Sequence, residues 1–160
     1  MKLVNSCLNF RAIKFLILIV GLAVFLSGCG FFGNRSSSAG PAAAKTAKKY
    51  IGVPYVYGGR SPKGFDCSGL TSYVYDRQGV KLPRSSSKQA KAGRMVRKRN
   101  LQPGDLVFFS TGKRGQVSHV GIYVGGNKFI HAPGQGKKVT TASLNDQYFK
   151  RTYHSARRII

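Results

Sequence analysis

Carboxylate is the scarcest chemistry in this chain. Its 160 residues include four acids, all aspartate (Asp66, Asp76, Asp105 and Asp146), and no glutamate. A calcium loop or a two-metal centre needs clusters of acidic oxygen ligands, so both are excluded. Tryptophan is absent, and cysteine is limited to Cys7, Cys29 and Cys67. Against the 4 acids stand 27 lysines and arginines, a formal net charge of +23. Such an excess first points to nucleic acid. Hydrophobic residues at 42% and aromatics at 11% are enough for a core, which excludes a disordered basic tail. The length fits one domain.

The N-terminal residues 1–28 do not read as part of that domain. Lys2, Arg11 and Lys14 precede an uncharged apolar run from Phe15 to Leu26. As a helix this run spans about 18 Å, too short to cross a bilayer and suited to the core of a signal peptide. It closes on Leu26-Ser27-Gly28-Cys29. An apolar residue, two small residues and a cysteine resemble the bacterial lipobox. That resemblance implies cleavage before Cys29 and lipid (palmitate-type acyl) attachment to its sulfur, with membrane anchoring that grows by about 0.8 kcal/mol per buried methylene. Gly30 follows, where an aspartate would favour inner-membrane retention. For a Gram-negative source the expected location is therefore the outer membrane, facing the periplasm. With Cys7 removed and Cys29 lipidated, Cys67 is left as the one free thiol, so an internal disulfide and a cysteine-based zinc site are both excluded. A lone thiol in an oxidising compartment is a liability unless it is buried or used.

Residues 29–43 are rich in Gly, Ser and Ala and read as the lipidated cysteine and a flexible tether. The domain is expected over 44–160. Ala42–Ile51 predicts a short helix stopped by Gly52 and Pro54. Pro54–Gly64 reads as a loop. Asp66–Gln78 predicts a helix with Leu70, Tyr73 and Val74 on one face, Asp66 as its N-cap and Gly79 as its stop. Leu82–Ala92 reads as a loop with a short basic helix. Strands are expected at Leu106–Phe109, His119–Val124, Lys128–Ala132, Val139–Leu144 and Tyr153–Ile160, with a hairpin turn at Gly125-Gly126-Asn127. Helices first and strands afterwards give an α+β fold with an antiparallel sheet of five to six strands.

Cys67 falls in the first turn of the predicted helix, where free N–H groups and the helix dipole favour a thiolate. His119 and His131 lie six and five positions from the hairpin centre, so they can meet on one sheet face. A thiol, a base and a residue that orients the base are the parts of nucleophilic catalysis. Cysteine packed in a core and histidines on a surface are the plainer readings of each residue alone. Zinc deaminase chemistry would need paired cysteines and a glutamate, which are missing. Nothing flanks His154, which reads as a surface or structural residue. The basic run Lys88–Arg99 reads as a solvated face, with contact to an anionic polymer or lipid headgroups as the sharper alternative.

Several segments, in order, resemble one family: Pro54-Tyr-Val-Tyr-Gly-Gly59, Gly64-Phe-Asp-Cys-Ser-Gly-Leu70, Leu82-Pro-Arg84, Leu101-Gln-Pro-Gly-Asp-Leu-Val-Phe-Phe109, Ser118-His-Val-Gly-Ile-Tyr123 and Ile130-His-Ala132. They are similar to the NlpC-type cell-wall cysteine peptidases, which are papain-like. The layout is that of their small murein-endopeptidase lipoproteins.

The resemblance implies N-terminal helices packed on the sheet, with Cys67 at a helix N-terminus as nucleophile. It implies His119 as base and His131 as the orienting residue, and it places Tyr55 beside the nucleophile with its hydroxyl toward the oxyanion. Asp66 and Ser68 occupy positions that bind a substrate's terminal amine in relatives with additional wall-binding domains. No such domain is read here, so that preference is not carried over, and Asp66 serves at least as a cap. Tyr57 stands where many relatives carry tryptophan, a change expected to affect packing.

The expected activity is hydrolysis of an amide in peptidoglycan stem peptides or cross-links, without metal or cofactor, by a monomer. The alternatives are an amidase or acyltransferase of related fold and a non-catalytic wall-binding lipoprotein. Export argues against nucleic acid as a partner. Without the first 28 residues the chain still carries 24 basic residues against 4 acidic ones. Its counter-ions are then wall carboxylates and lipid phosphates.

Overall fold

A computed structural model describes residues 39–112 and 115–159. The signal peptide expected over 1–28, the lipidation site Cys29 and most of the tether lie outside the described residues. The structure opens on helix α1 (Ala39–Lys48), three residues earlier than the sequence predicts. Pro41 suits a first helical turn, and the run of alanines lets the helix lie close to its neighbours. Ala43 and Ala47 are fully buried. The entering chain rests on Gly104, whose φ is +98° and where a Cβ would come within 2.1 Å of the Gly40 carbonyl oxygen.

The Pro54–Gly64 loop carries a small hairpin, β1 (Arg60–Ser61) and β2 (Gly64–Phe65). Helix α2 (Cys67–Asp76) follows, then the short α3 (Ser86–Gln89). The remaining strands are β3 (Arg94–Met95), β4 (Leu106–Phe109), β5 (His119–Gly125), β6 (Lys128–His131), β7 (Thr140–Ser143) and β8 (Tyr153–Arg158), with helix α4 (Gln147–Thr152) between β7 and β8. Together β3–β8 form one six-stranded antiparallel sheet in the order β3-β8-β4-β5-β6-β7. The expected α+β architecture is therefore present. The two-residue β3 and helix α4 were not legible: β3 is too short to show a period, and α4 has no buried face of its own.

Alternation along the strands sorts the core into two layers. Leu106, Phe108, Val120, Ile122 and Ile130 face α1 and α2 and pack with Phe65, Leu70 and Val74. Val107, Phe109, Tyr123, Phe129 and Ala156 face the other way and are covered by Leu144 and Phe149. Bidentate Arg158 closes the sheet's lower end, with Nε 2.7 Å from Asp105 Oδ1 and Nη2 2.7 Å from Oδ2.

The turn before α2 is the tightest contact in the fold. The Gly59 carbonyl accepts the Asp66 N–H at 3.1 Å and lies directly over Gly69, where a Cβ would come within 1.9 Å of it. No backbone atom can yield by that much without moving the start of α2. Replacing Gly69 with alanine is therefore expected to cost at least about 2 kcal/mol in urea unfolding. A loss below about 0.5 kcal/mol would show that the turn does not clamp the helix.

Candidate active site

Helix α2 begins where the sequence predicts because Asp66 is a good cap. Its backbone is extended and its Oδ1 accepts the Gly69 N–H at 2.6 Å. Cys67 is thereby fixed as the first helical residue, half-buried, at the foot of β5. The backbone N–H groups of Val120 and Ser68 and the Ser68 hydroxyl lie close to its sulfur and favour the thiolate. Burial is the larger effect and pushes the Cys67 thiol above its ordinary value. The helix N-terminus alone led us to expect a lowered pKa. Burial overrides it.

His119 and His131 come together as predicted, with Nε2 of His119 and Nδ1 of His131 2.8 Å apart. The register differs from a symmetric hairpin. Ile122 lies opposite Ile130, and a bulge between Tyr123 and Gly125 shifts the strands. His131 is therefore across from Gly121, and the two imidazoles form a diagonal pair on one face. Gly121 is required between them, since a Cβ there would come within 2.5 Å of the Phe129 ring. Aromatic rings enclose the pair: Phe109 lies 6.0 Å from His119, and Phe129 and Phe149 lie 5.0 and 5.4 Å from His131, centroid to centroid. Burial lowers His119 to about 4. Burial, the neighbouring His119 and the charge of Lys137 lower His131 to about 3.

This geometry sets the proton positions. With Nε2 of His119 engaged by His131, only Nδ1 is free to receive a proton from the thiol. A neutral His119 able to accept at Nδ1 carries its proton on Nε2 and donates it to His131. Once protonated at both nitrogens, it still donates to the same acceptor. His131 therefore holds one ring orientation through the whole proton cycle.

Tyr55 lies within electrostatic reach of the thiol. Burial raises its pKa first, and Cys67, Asp66 and Tyr57 add to the effect through their charges, which places the phenol among them. Its backbone N–H donates to the Lys137 carbonyl at 2.8 Å, tying the Tyr55 loop to the segment between β6 and β7.

Asp66 and Ser68 are buried and engaged with Arg84. Arg84 Nη1 is 3.0 Å from Asp66 Oδ1 and 2.9 Å from Ser68 Oγ, and Nη2 bonds Oδ2. The Gly58 N–H adds a bond to Oδ2 at 3.0 Å. Burial acts to raise the Asp66 carboxyl, but these donors outweigh it and hold it below the usual carboxylate range. Arg84 lies in the Leu82-Pro-Arg84 segment of the family resemblance, but sequence reasoning gave it no role in the site.

Tyr57 is 89% exposed and packs on no core, which corrects the packing reading of that position. His154 is exposed, as expected, with Nδ1 2.9 Å from Ser155 Oγ. The six cations of the Lys88–Arg99 run are all exposed, in keeping with a solvated face. Among the described residues no group of histidine, cysteine and carboxylate side chains could hold a metal. A cavity of about 480 Å³ opens beside the imidazole pair, with Thr111, Lys137, Thr140 and Tyr148 among its walls.

The sequence profile of the NlpC/P60 family matches residues 52–158. The chain is 44% identical to the gamma-DL-glutamyl hydrolase of Bacillus subtilis over 135 residues, which is 80% of this chain and 32% of the relative. It is also 44% identical to Murein DD-endopeptidase MepS/Murein LD-carboxypeptidase of Escherichia coli over 110 residues, 68% of this chain and 57% of that one. The chain thus spans less than two thirds of either relative. Among solved structures, the NlpC/p60 domain of the peptidoglycan hydrolase SagA superposes with a TM-score of 0.65 at 39% identity, covering 74% of this chain and 97% of that domain.

Both histidines have folded pKa values below the ordinary imidazole value, so the unfolded chain takes up protons first. Their contribution to stability is complete above about pH 6.5 and is lost as pH falls toward the folded values. NMR titration of the ring carbons is expected to keep His119 neutral down to about pH 4 and His131 down to about pH 3. A midpoint near 6.5 for either ring would contradict a buried, uncharged pair.

Proposed function

The chain belongs to the NlpC/P60 family, and on that premise we propose that it is a cysteine endopeptidase of bacterial peptidoglycan, cutting an amide in stem peptides or their cross-links. The observation that carries this reading is the His119–His131 pair, joined at 2.8 Å, at the start of the strand whose Val120 N–H reaches the sulfur of the helix-capped Cys67. Murein and peptidoglycan appear in the names of two of the similar proteins, which supports the substrate class.

In this mechanism Cys67 rests as a thiol beside neutral His119. As its sulfur attacks the amide carbonyl, the proton passes to His119 Nδ1, and the imidazolium is steadied by its bond to His131. The carbonyl oxygen takes up negative charge within reach of the Tyr55 hydroxyl and of backbone N–H groups at the start of α2. His119 then protonates the departing amine, leaving a thioester. Water, deprotonated by His119, releases the acid and restores the thiol. The sequence calls on residues of this chain alone. Asp66 acts here as a positioning residue: its carboxylate is committed to the helix cap and to Arg84, which leaves it poorly placed to take a substrate amine.

We further propose that residues 1–28 are a signal peptide and that Cys29 carries the lipid anchor, holding a monomeric enzyme at the outer membrane facing the periplasm. The basic start, the short apolar run and the Leu-Ser-Gly-Cys ending support this. Palmitate labelling lost in Cys29→Ala would agree, and labelling retained there would refute it.

Digestion of purified peptidoglycan with fragments identified by mass tests the activity. Cys67→Ala is expected to release nothing. His119→Ala is expected to lose about 10³-fold, within the range for removing a general base. Tyr55→Phe is expected to lose about 10²-fold, the range for one oxyanion donor. Release by Cys67→Ala equal to that of the parent would sink the reading.

A further inference from the structure

The mechanism leaves the cavity beside the imidazole pair unused, and its chemistry is specific. A group that protonates a leaving amine must lie within hydrogen-bond reach of it. His119 lines this cavity and Cys67 does not, which suits the cavity to the fragment that leaves from the base and not to the acyl half held on sulfur. Its other walls are the rings of Tyr148 and Phe149, the hydroxyl-bearing Thr111 and Thr140, and Lys137. Such a site accommodates an aliphatic amino-acid unit with one anionic end.

Lys137 is held in place from three sides. Its carbonyl accepts the Tyr55 N–H, its own N–H donates to the Gly134 carbonyl at 3.2 Å, and the next residue, Lys138, bridges to Pro54. The residue is therefore clamped between the Tyr55 loop and the strand that carries His131. Its charge disfavours protonation of His131. Among the described residues no carboxylate pairs with Lys137; the ion pairs are Arg84–Asp66 and Arg158–Asp105. An anion brought by the substrate would give Lys137 its partner.

We propose that Lys137 is a specificity residue that binds a free carboxylate on the amine side of the scissile bond. This deepens the peptidase reading and rests on it. In a D-alanyl cross-link the leaving amine sits on a carbon that also bears a free carboxylate. In the D-glutamyl–diamino acid bond, the carboxyl on that carbon is tied up wherever the stem continues. Lys137 thus directs the enzyme toward cross-links and away from amidated ones.

The test uses two cross-linked stem-peptide dimers that differ only in that group, one as free carboxylate and one as carboxamide. The expected result is about a tenfold higher kcat/KM for the free acid, carried by KM, as for a charge-assisted hydrogen bond in a partly solvated cavity. Lys137→Met should bring the ratio near one, Lys137→Arg should keep it, and Lys137→Glu should invert it. Because Lys137→Met preserves the backbone bond to Tyr55, a merely structural role would lower both substrates alike and leave the ratio in place. That result, or equal cleavage of the two dimers by the parent enzyme, overturns the role of Lys137 while the peptidase reading stands. Cleavage of neither dimer overturns both.

Discussion

One carboxylate organises the nucleophile. Asp66 accepts the Gly69 N–H, the Gly58 N–H and the fork of Arg84, so a single side chain caps α2, fixes the turn above it and anchors the following loop. Cys67 is the next residue and has no freedom that Asp66 does not allow. Three of the four aspartates are committed in this way. Asp105 takes the Arg158 fork and Asp146 caps α4 through the Tyr148 N–H. In a chain so short of acid, each of these carboxylates holds backbone or an arginine in place, and the proton chemistry falls to sulfur and imidazole.

Burial gives that chemistry its character. The same dry environment raises the thiol and lowers both imidazoles, so these three groups rest uncharged. In the proposed mechanism charge appears only when sulfur attacks and the proton crosses to His119, in a region of low dielectric where fixed donors act most strongly. The diagonal imidazole pair is preorganised for that moment, because His131 offers the same acceptor to both protonation states of His119. A resting thiol would also suit the oxidising compartment proposed for this chain, since the thiol is far less readily oxidised than the thiolate.

Much of the site could be read from residues alone, and the reason is local. A cap followed by a helix, and a glycine-rich hairpin with a histidine on each arm, are short-range signals. The sequence therefore located Cys67 at α2 and paired His119 with His131. It misjudged what depends on tertiary surroundings. The thiol's pKa turned on burial, which no helix dipole reveals. The bulge before Gly125 changed a facing pair into a diagonal one. Lys137 was hidden among 27 basic residues and Arg84 was read only as part of a motif, because charge alone does not say which cation the fold will bring beside a thiol or an imidazole. Helix α4, whose Phe149 closes the aromatic box around His131, buries no face at helical period and so gave no signal.

The account depends on Cys67 forming a covalent bond to the acyl half of its substrate. Acid-quenching the enzyme during turnover of a cross-linked stem peptide, followed by peptide mass mapping, tests this directly. The account predicts a thioester on the Cys67 peptide alone, with the mass of the fragment on the carbonyl side of the cut and accumulating further when hydroxylamine is withheld than when it is added. Turnover with no adduct at Cys67, or with the adduct on another residue, would contradict it.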